Sequence, residues 1–332
     1  MALPPMLAPV SATSVREAGP GDLERIVEFE NRFARPGRVQ TLALAKRFED
    51  ANPEPNRLIL IAESAGAVIG TAGASDGGLL GGGQGRYRAN VRVARDHRGH
   101  GLGREMLGRL EAHVRAKGAP NLQGAVRGDE PEGQRFAERN GYREFHRRFE
   151  SYVDVRAFDA SSVGDAAERV AKAGIRVDLY DVFEGQASDR ISFQRSVYEC
   201  ISSSQQDIPR PDGVPPAPPF EAVREVYFEG DAFAHDCSAL AMRDDRCVGA
   251  SITTVDPTGA AYTIYTGVQR TERGRGVALA MKVAILTALQ ARGGTTFGTT
   301  NDEANAAMRG INERLGYVVA PPMIEVEKVF ER

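Results

Sequence analysis

Apolar and polar positions alternate most clearly at Tyr87, Ala89, Val91 and Val93, a period of two that predicts a strand running into a glycine-rich turn. Past the turn the period lengthens. Met106, Leu107 and Leu110 share one face of 104–117, which predicts a helix. Upstream, a short strand at 14–17 leads to a helix with Asp22 as N-cap and Leu23, Ile26, Val27 and Phe33 as its apolar stripe. A second helix is expected at 41–49, then a hairpin of strands 57–63 and 67–74 turning at 64–66. The glycine-rich 76–85 reads as a flexible crossing. Downstream follow a strand at 122–126, a helix at 132–140 and closing strands within 142–155.

The second part of the chain repeats this order. A linking helix at 159–174, with Ala167, Val170 and Ala171 apolar, precedes a strand at 175–179. A helix at 189–200 should turn Ile191, Val197 and Tyr198 inward. Residues 202–219 contain six prolines and one glycine, which rule out a helix or central strand. A helix at 220–228 and strands at 238–243, 248–254 and 261–268 complete the pattern, with Asp244 and Asp245 turning the hairpin.

Two loops match. Residues 98–103 read Arg-Gly-His-Gly-Leu-Gly, and residues 273–278, 175 positions later, read Arg-Gly-Arg-Gly-Val-Ala. The same offset pairs Val93 with Val268, Met106 with Met281, Gly118 with Gly293, Glu138 with Glu313, and Tyr142 with Tyr317. One register kept over so many residues indicates an internal duplication. A strand, a glycine-rich turn and a helix start form an anion site, because glycines admit close backbone approach and free N–H groups point at negative charge. No Gly-Lys-Ser/Thr follows, so the loop is not a nucleotide-triphosphate loop. The third glycine of a dinucleotide fingerprint is replaced by Arg104.

Both loops resemble the pyrophosphate loop of the GCN5-related N-acetyltransferases (the GNAT family), Arg/Gln-x-x-Gly-x-Gly/Ala. The resemblance implies a mixed-sheet α/β (α+β) fold in two tandem acyl-CoA N-acyltransferase units, as in two-domain acetyltransferases of the mycothiol-synthase type. The expected divisions are an extension at 1–13, an N-terminal unit at 14–156, a linker helix at 157–174 and a C-terminal unit at 175–332. It implies acetyl-CoA as donor, its pyrophosphate cradled by Arg98, Gly99, His100, Gly101, Leu102 and Gly103 in one copy. In the other copy the cradle is Arg273, Gly274, Arg275, Gly276, Val277 and Ala278. Backbone N–H groups at or beside Val93 and Val268 would receive the oxyanion.

The family pattern for the last helix is Asn-x-x-Ala-x-x-Leu-Tyr-x-x-x-Gly-Phe. Here the second copy keeps Asn305 but has Asn312 in place of the tyrosine, and the first copy has Glu130 and Ala137. The thiolate then leaves unassisted or through water, or Tyr262 or Tyr265 reaches it. Thr299, Thr300, Asn301, Asn305 and Asn312 are expected where thioester and acceptor meet, with Asn301 and Asn305 also touching coenzyme. The C-terminal copy is thus expected to be catalytic, with Val268, Asn305, Asn312 and Tyr265 as its working residues. The N-terminal copy would bind coenzyme without turnover. Asp256 and Glu325 are candidate general bases.

The activity implied is direct transfer of acetyl to the primary amine of a small molecule. The missing tyrosines keep a second expectation open, a non-catalytic acyl-CoA sensor or scaffold. A third is an acyltransferase acting on a protein amine or using a longer acyl-CoA. The loop at 202–219 falls where the family lines its acceptor site, and is either a lid or a surface excursion.

Charge and cysteine content narrow the setting. A net charge of −3 over 332 residues, without an Arg/Lys helix carrying aromatics, disfavours nucleic acid. Five histidines form no ligand pattern, so no metal is expected. Cys200, Cys237 and Cys247 lack metal spacing and are too few for a disulfide framework, which suits a reducing cytoplasm. No stretch is apolar and long enough for a membrane span, and the first fourteen residues lack a basic n-region and are broken by Pro4, Pro5 and Pro9. A monomer or homodimer is expected.

Overall fold

Alternation and helical period act locally as expected, and pairing between distant strands assembles the result. The computed structural model describes residues 13–51, 56–77, 86–164, 166–207, 216–230 and 233–331. Strand β1 (Ser14–Glu17) leads to helix α1 (Leu23–Asn31), followed by α2 (Leu42–Ala51) and the hairpin β2 (Leu58–Ser64) and β3 (Ala67–Ser75). Then come β4 (Tyr87–Val93), α3 (Leu102–Ala116), β5 (Asn121–Arg127), α4 (Pro131–Arg139) and β6 (Arg143–Asp154). Most of the expected glycine-rich crossing at 76–85 lies outside the described residues.

The second half contributes α5 (Ala166–Lys172), β7 (Arg176–Leu179), α6 (Tyr180–Gln186), α7 (Arg190–Gln205) and α8 (Phe220–Val223), which runs on as a π turn at Arg224–Phe228. Strands β8 (Ala239–Arg243), β9 (Arg246–Val255) and β10 (Ala261–Val268) follow. Helix α9 (Val277–Ala291), β11 (Thr296–Asp302), α10 (Ala306–Arg314), β12 (Val318–Val319) and β13 (Met323–Val329) complete the chain.

Several expectations need correction. Asp22 precedes α1, but its carboxylate accepts from the Gly19 N–H at 2.8 Å and from Arg16 at 2.7 and 2.8 Å, fastening β1 instead of capping the helix. The linking helix is split into a 3-10 turn at Ala160–Val163 and α5, which buries Ala166 and Val170 while Ala167 and Ala171 face out. Helix α6 was not foreseen. In α7 the Asp189 carboxylate takes the Ile191 N–H, and Ile191 is left 53% exposed; Val197 turns inward as expected, with Phe193 in place of Ile191. The same helix continues to Gln205, with the Ser203 and Ser204 hydroxyls bonded back to the Glu199 and Cys200 carbonyls. Of the expected lid or surface excursion at 202–219, residues 208–215 lie outside the described residues.

All strands join one sheet in the order β1-β2-β3-β4-β5-β13-β6-β11-β10-β9-β8-β7, with β12 on β6. Residues 142–155 hold a single strand, and it does not close the first half by itself. Strand β13, from the end of the chain, lies between β5 and β6, and β6 in turn pairs with β11. Each half therefore supplies a strand to the other's part of the sheet.

Helices α3 and α9 pack on one face of the sheet. Met106, Leu110 and Val114 meet Leu58, Leu60 and Ala72, while Met281, Ile285 and Leu289 meet Ala239, Ala241 and Val248. Helix α7 covers the opposite face, where Phe193 and Val197 join Leu240, Ala250 and Ile252. Gly37, in the loop after α1, crosses to the second half. A Cβ there would stand 2.6 Å from the Ala261 backbone, so the close approach requires glycine. No helix among the described residues is long and apolar enough to cross a membrane.

Candidate coenzyme clefts and acceptor face

Each glycine loop stands at the mouth of a gap in the sheet. Strands β4 and β5 run parallel but pair only at Tyr87–Leu122 and Arg88–Gln123, then separate. Strands β10 and β11 pair from Ala261–Phe297 to Thr263–Thr299 and separate likewise. Beyond each crotch the facing strand edges have no ladder partner, so an extended ligand arm could supply one.

The two loops adopt one backbone conformation. A 3-10 turn at Arg95–His97 matches one at Arg270–Glu272. Gly99 and Gly101 have φ +83° and +86°, and Gly274 and Gly276 have φ +76° and +86°. Side chains avoid this left-handed region, and a Cβ at any of the four positions would meet nothing within 4 Å. The space above each loop is thus open in front of the first N–H groups of α3 or α9. A diphosphate fits that chemistry.

Arg98 and Arg273 also fasten the loops. Arg98 Nε donates to the Val93 carbonyl at 3.0 Å, and Arg273 Nε to the Val268 carbonyl at 2.9 Å, buckling each loop to its strand. Arg98 also pairs with Glu132 at 3.0 Å, and Arg273 with Asp207 at 2.5 Å. Asp207, missed in the sequence, binds Arg270 as well, and these two guanidiniums hold its carboxyl well below the usual range. His100 and Arg275 are exposed, while Leu102 and Val277 are buried under the loops. Gly103 lies where a Cβ would touch Phe136 at 3.3 Å, and Ala278 occupies the matching place.

Val268 sits at the mouth, where its carbonyl accepts from Arg273. The interrupted backbone is nearer the crotch. Strand β10 has a bulge against β9 at Ile264, which has no pairing partner on β9 or β11, and its side chain is 44% exposed. The corresponding pairing of β3 with β4 runs without a shift.

The expected polar set divides between the two faces of the sheet. Asn312 donates to Asn301 at 2.5 Å on the α10 side, beside buried Thr299. Asn305 caps α10 by accepting from the Met308 N–H at 3.2 Å. Thr300 faces the other way, bonded to the Tyr262 hydroxyl. Tyr265 is turned into α7, where Ser204 bonds its hydroxyl and burial raises its pKa, so it does not reach the cleft as an acid. Tyr262 is likewise raised by burial.

Asp256 is not a free base. Its carboxylate accepts from the backbone of Gly37, Val39 and Thr258 at 2.9, 3.3 and 2.8 Å, anchoring the loop after α1. Glu325 is held by Arg88 at 2.9 Å and Arg148 at 2.5 Å. A carboxylate that the sequence reading missed, Glu150 on β6, lies opposite Thr300 and is buried. The Tyr152 hydroxyl donates to it at 3.0 Å, Arg35 pairs with it, and the Arg38 guanidinium stacks 3.8 Å above the Tyr262 ring. Glu150 and Glu325 are themselves 175 positions apart, a signal present in the sequence.

Lys282 was missed as well. It is fully buried on α9, and its amine lies 3.5 Å from Thr263 Oγ1 and 5.2 Å from the Tyr317 ring centre. The three cysteines are free and buried. Among the described residues no group of three or more His, Cys, Asp or Glu side chains is placed to hold a metal.

Residues 23–142 match the model of the acetyltransferase (GNAT) family. The N-terminal half thus holds a GNAT-fold domain. No curated protein matches the chain. Among solved structures, a GCN5-related N-acetyltransferase from Sphaerobacter thermophilus is 17% identical, with 96% of this chain and 95% of that chain covered and a TM-score of 0.67. A tandem GNAT protein from the clavulanic acid biosynthesis pathway is 15% identical, with 96% and 98% covered and a TM-score of 0.67. At such identities the likeness speaks for fold, and it extends the mixed-sheet GNAT architecture beyond the matched residues.

Proposed function

We propose that the protein is an acetyl-CoA-dependent N-acetyltransferase acting on the primary amine of a small molecule. In this reading 14–156 and 175–332 are tandem GNAT units joined through 157–174, and the C-terminal unit carries the chemistry. The observation that carries the reading is the pair of left-handed glycine loops, each standing at the mouth of a parted strand pair.

Bound coenzyme would bring the acetyl group as a thioester. The N–H groups at the start of α9 and of the loop at 273–278 receive the diphosphate, and the open edge of β10 aligns the arm. Backbone at the Ile264 bulge offers a donor, free of the sheet ladder, to charge on the thioester oxygen. An attacking amine must first lose its proton, since alkyl ammonium groups have a pKa of roughly 10. Glu150, on the acceptor face beside Thr300, has Arg35 and Tyr152 both on Oε2, and takes that proton on Oε1 directly or through water. It reaches the C-terminal cleft from the N-terminal half because β6 pairs with β11.

The N-terminal unit is read as a coenzyme binder without turnover. Its crotch is lined by Leu107, Ala137 and Tyr142 in an apolar cluster. The test is release of free thiol from acetyl-CoA on addition of an amine panel. Amine-dependent release supports the transferase; coenzyme binding without release for any amine favours the sensor reading.

A further inference from the structure

We propose that the Lys282 ammonium is the counter-charge to the thiolate that leaves in the C-terminal cleft. This deepens the transferase reading and rests on it. The position follows from strand geometry. From Val268, at the loop, to Thr263, at the crotch, is five residues, and roughly 3.3 Å per residue makes this about 17 Å. That is the reach of an extended pantetheine arm, so an arm laid along β10 brings its sulfur towards the crotch. The Lys282 amine stands there, 3.5 Å from Thr263 Oγ1, on the side covered by α9.

Among the described residues no negative group acts on it. The elements packed against it contribute Thr263 from β10, Phe297 from β11, with its ring centre 5.3 Å away, and Tyr317 from the turn after α10. Burial alone lowers its pKa, to about 7. Two neighbouring polar atoms are also without protein partners, the Tyr317 hydroxyl and Asn312 Oδ1, both buried. An unpaired buried amine opposes folding. A negative charge arriving in the cleft would relieve that penalty and hold the amine protonated.

The step balances simply. The acceptor nitrogen bonds to the thioester carbon, the carbon–sulfur bond breaks, and the bonding pair goes to sulfur. The nitrogen sheds its proton on the acceptor face, and the Lys282 ammonium faces the new thiolate without being consumed. Asn312 stands where the family has its tyrosine, so the charge at sulfur is met here by a cation from the helix beneath.

Free coenzyme A serves as the probe, which removes the need for an acceptor. In a Gly101→Val background, where the N-terminal loop is blocked, the ultraviolet thiolate absorbance of bound coenzyme A is followed from pH 6 to 10. The comparison is Lys282 against Lys282→Met, with the melting temperature of each apo protein as the check on folding. At pH 7.5 the bound thiol should be at least tenfold more ionised with Lys282 than with Met. Lys282→Gln, which keeps a polar chain without the charge, gives the same readout should the Met variant melt early. Identical thiol titrations in all three proteins overturn the proposal. Failure of the Gly101→Val protein to bind coenzyme A overturns the C-terminal coenzyme site itself and takes this proposal with it.

Discussion

The two glycine loops share one left-handed conformation at both glycines, yet the floors beneath them differ. Under the N-terminal loop, Leu107, Ala137, Tyr142 and Val326 pack as an apolar cluster, and the Tyr142 hydroxyl is satisfied by Glu111 at 3.1 Å. Under the C-terminal loop the matching positions hold Lys282, Asn312 and Tyr317, buried and poorly partnered. Lys282 is the lone charged residue of helix α9. Identical loops over different floors suggest that coenzyme recognition was kept in both halves, while the means to handle charge at the thioester was kept or acquired in one.

The sharpest way to break this comparison is to give the N-terminal floor the lysine. Leu107 is 5% exposed among apolar neighbours. Leu107→Lys should lower stability by several kcal/mol, on the order of 3–5, because the nearby Glu111 carboxylate is already engaged by Tyr142 and Lys328. Thermal and denaturant unfolding read this directly. A change below 1 kcal/mol would mean that the two floors are less different than described.

Glu150→Gln tests the acceptor side. The variant should release thiol from acetyl-CoA roughly 100-fold more slowly with unchanged coenzyme affinity. Equal loss in affinity would instead make Glu150 a structural partner of Arg35 and Tyr152.

Burial lowers Lys282 from 10.5 to about 7, which fixes a sign. Between those two values the unfolded chain binds the proton that the folded protein has lost, so the lysine's penalty fades as pH rises through this window. Wild type should therefore gain up to about 1.4 kcal/mol per pH unit relative to Lys282→Met between roughly pH 7.5 and 9.5. Below pH 7 the Met variant should be the more stable protein. Parallel stability curves would show that the amine is solvated in solution.

The smallest expected effect is at Asp207. Asp207→Asn loosens the clamp on Arg270 and Arg273, and coenzyme affinity should fall a few-fold, without loss of fold.

Much of this architecture was legible along the chain. The period-two run at Tyr87–Val93, the change of period after Gly103 and the repeated spacing placed both loops, and the helix after the first to within two residues. Strand exchange was not legible, because alternation says which face a residue takes and nothing about which distant strand pairs with it. Residues 143–154 read equally well as a strand beside β5 or beside β11. That ambiguity hid Glu150, whose place in the C-terminal cleft depends on the pairing. Asp256 and Tyr265 looked available because a sequence does not show that Gly37 or Ser204 has already engaged them. Lys282 did leave a trace, a lone charge in the run Val277–Ala291. On a helix, though, a lysine stem can lie along apolar surface with its charge in water, and only the packing shows that this one cannot.

The central claim, that the C-terminal cleft is a working coenzyme site, is tested most directly by calorimetric titration with acetyl-CoA of wild type, Gly101→Val and Gly276→Val. Either valine would force a β-branched residue into the left-handed region and fill the space above its loop. Loss of a binding site in Gly276→Val, with binding retained in Gly101→Val, is the predicted result. Undiminished binding in Gly276→Val, with all binding lost in Gly101→Val, would contradict the account and move the chemistry to the other half.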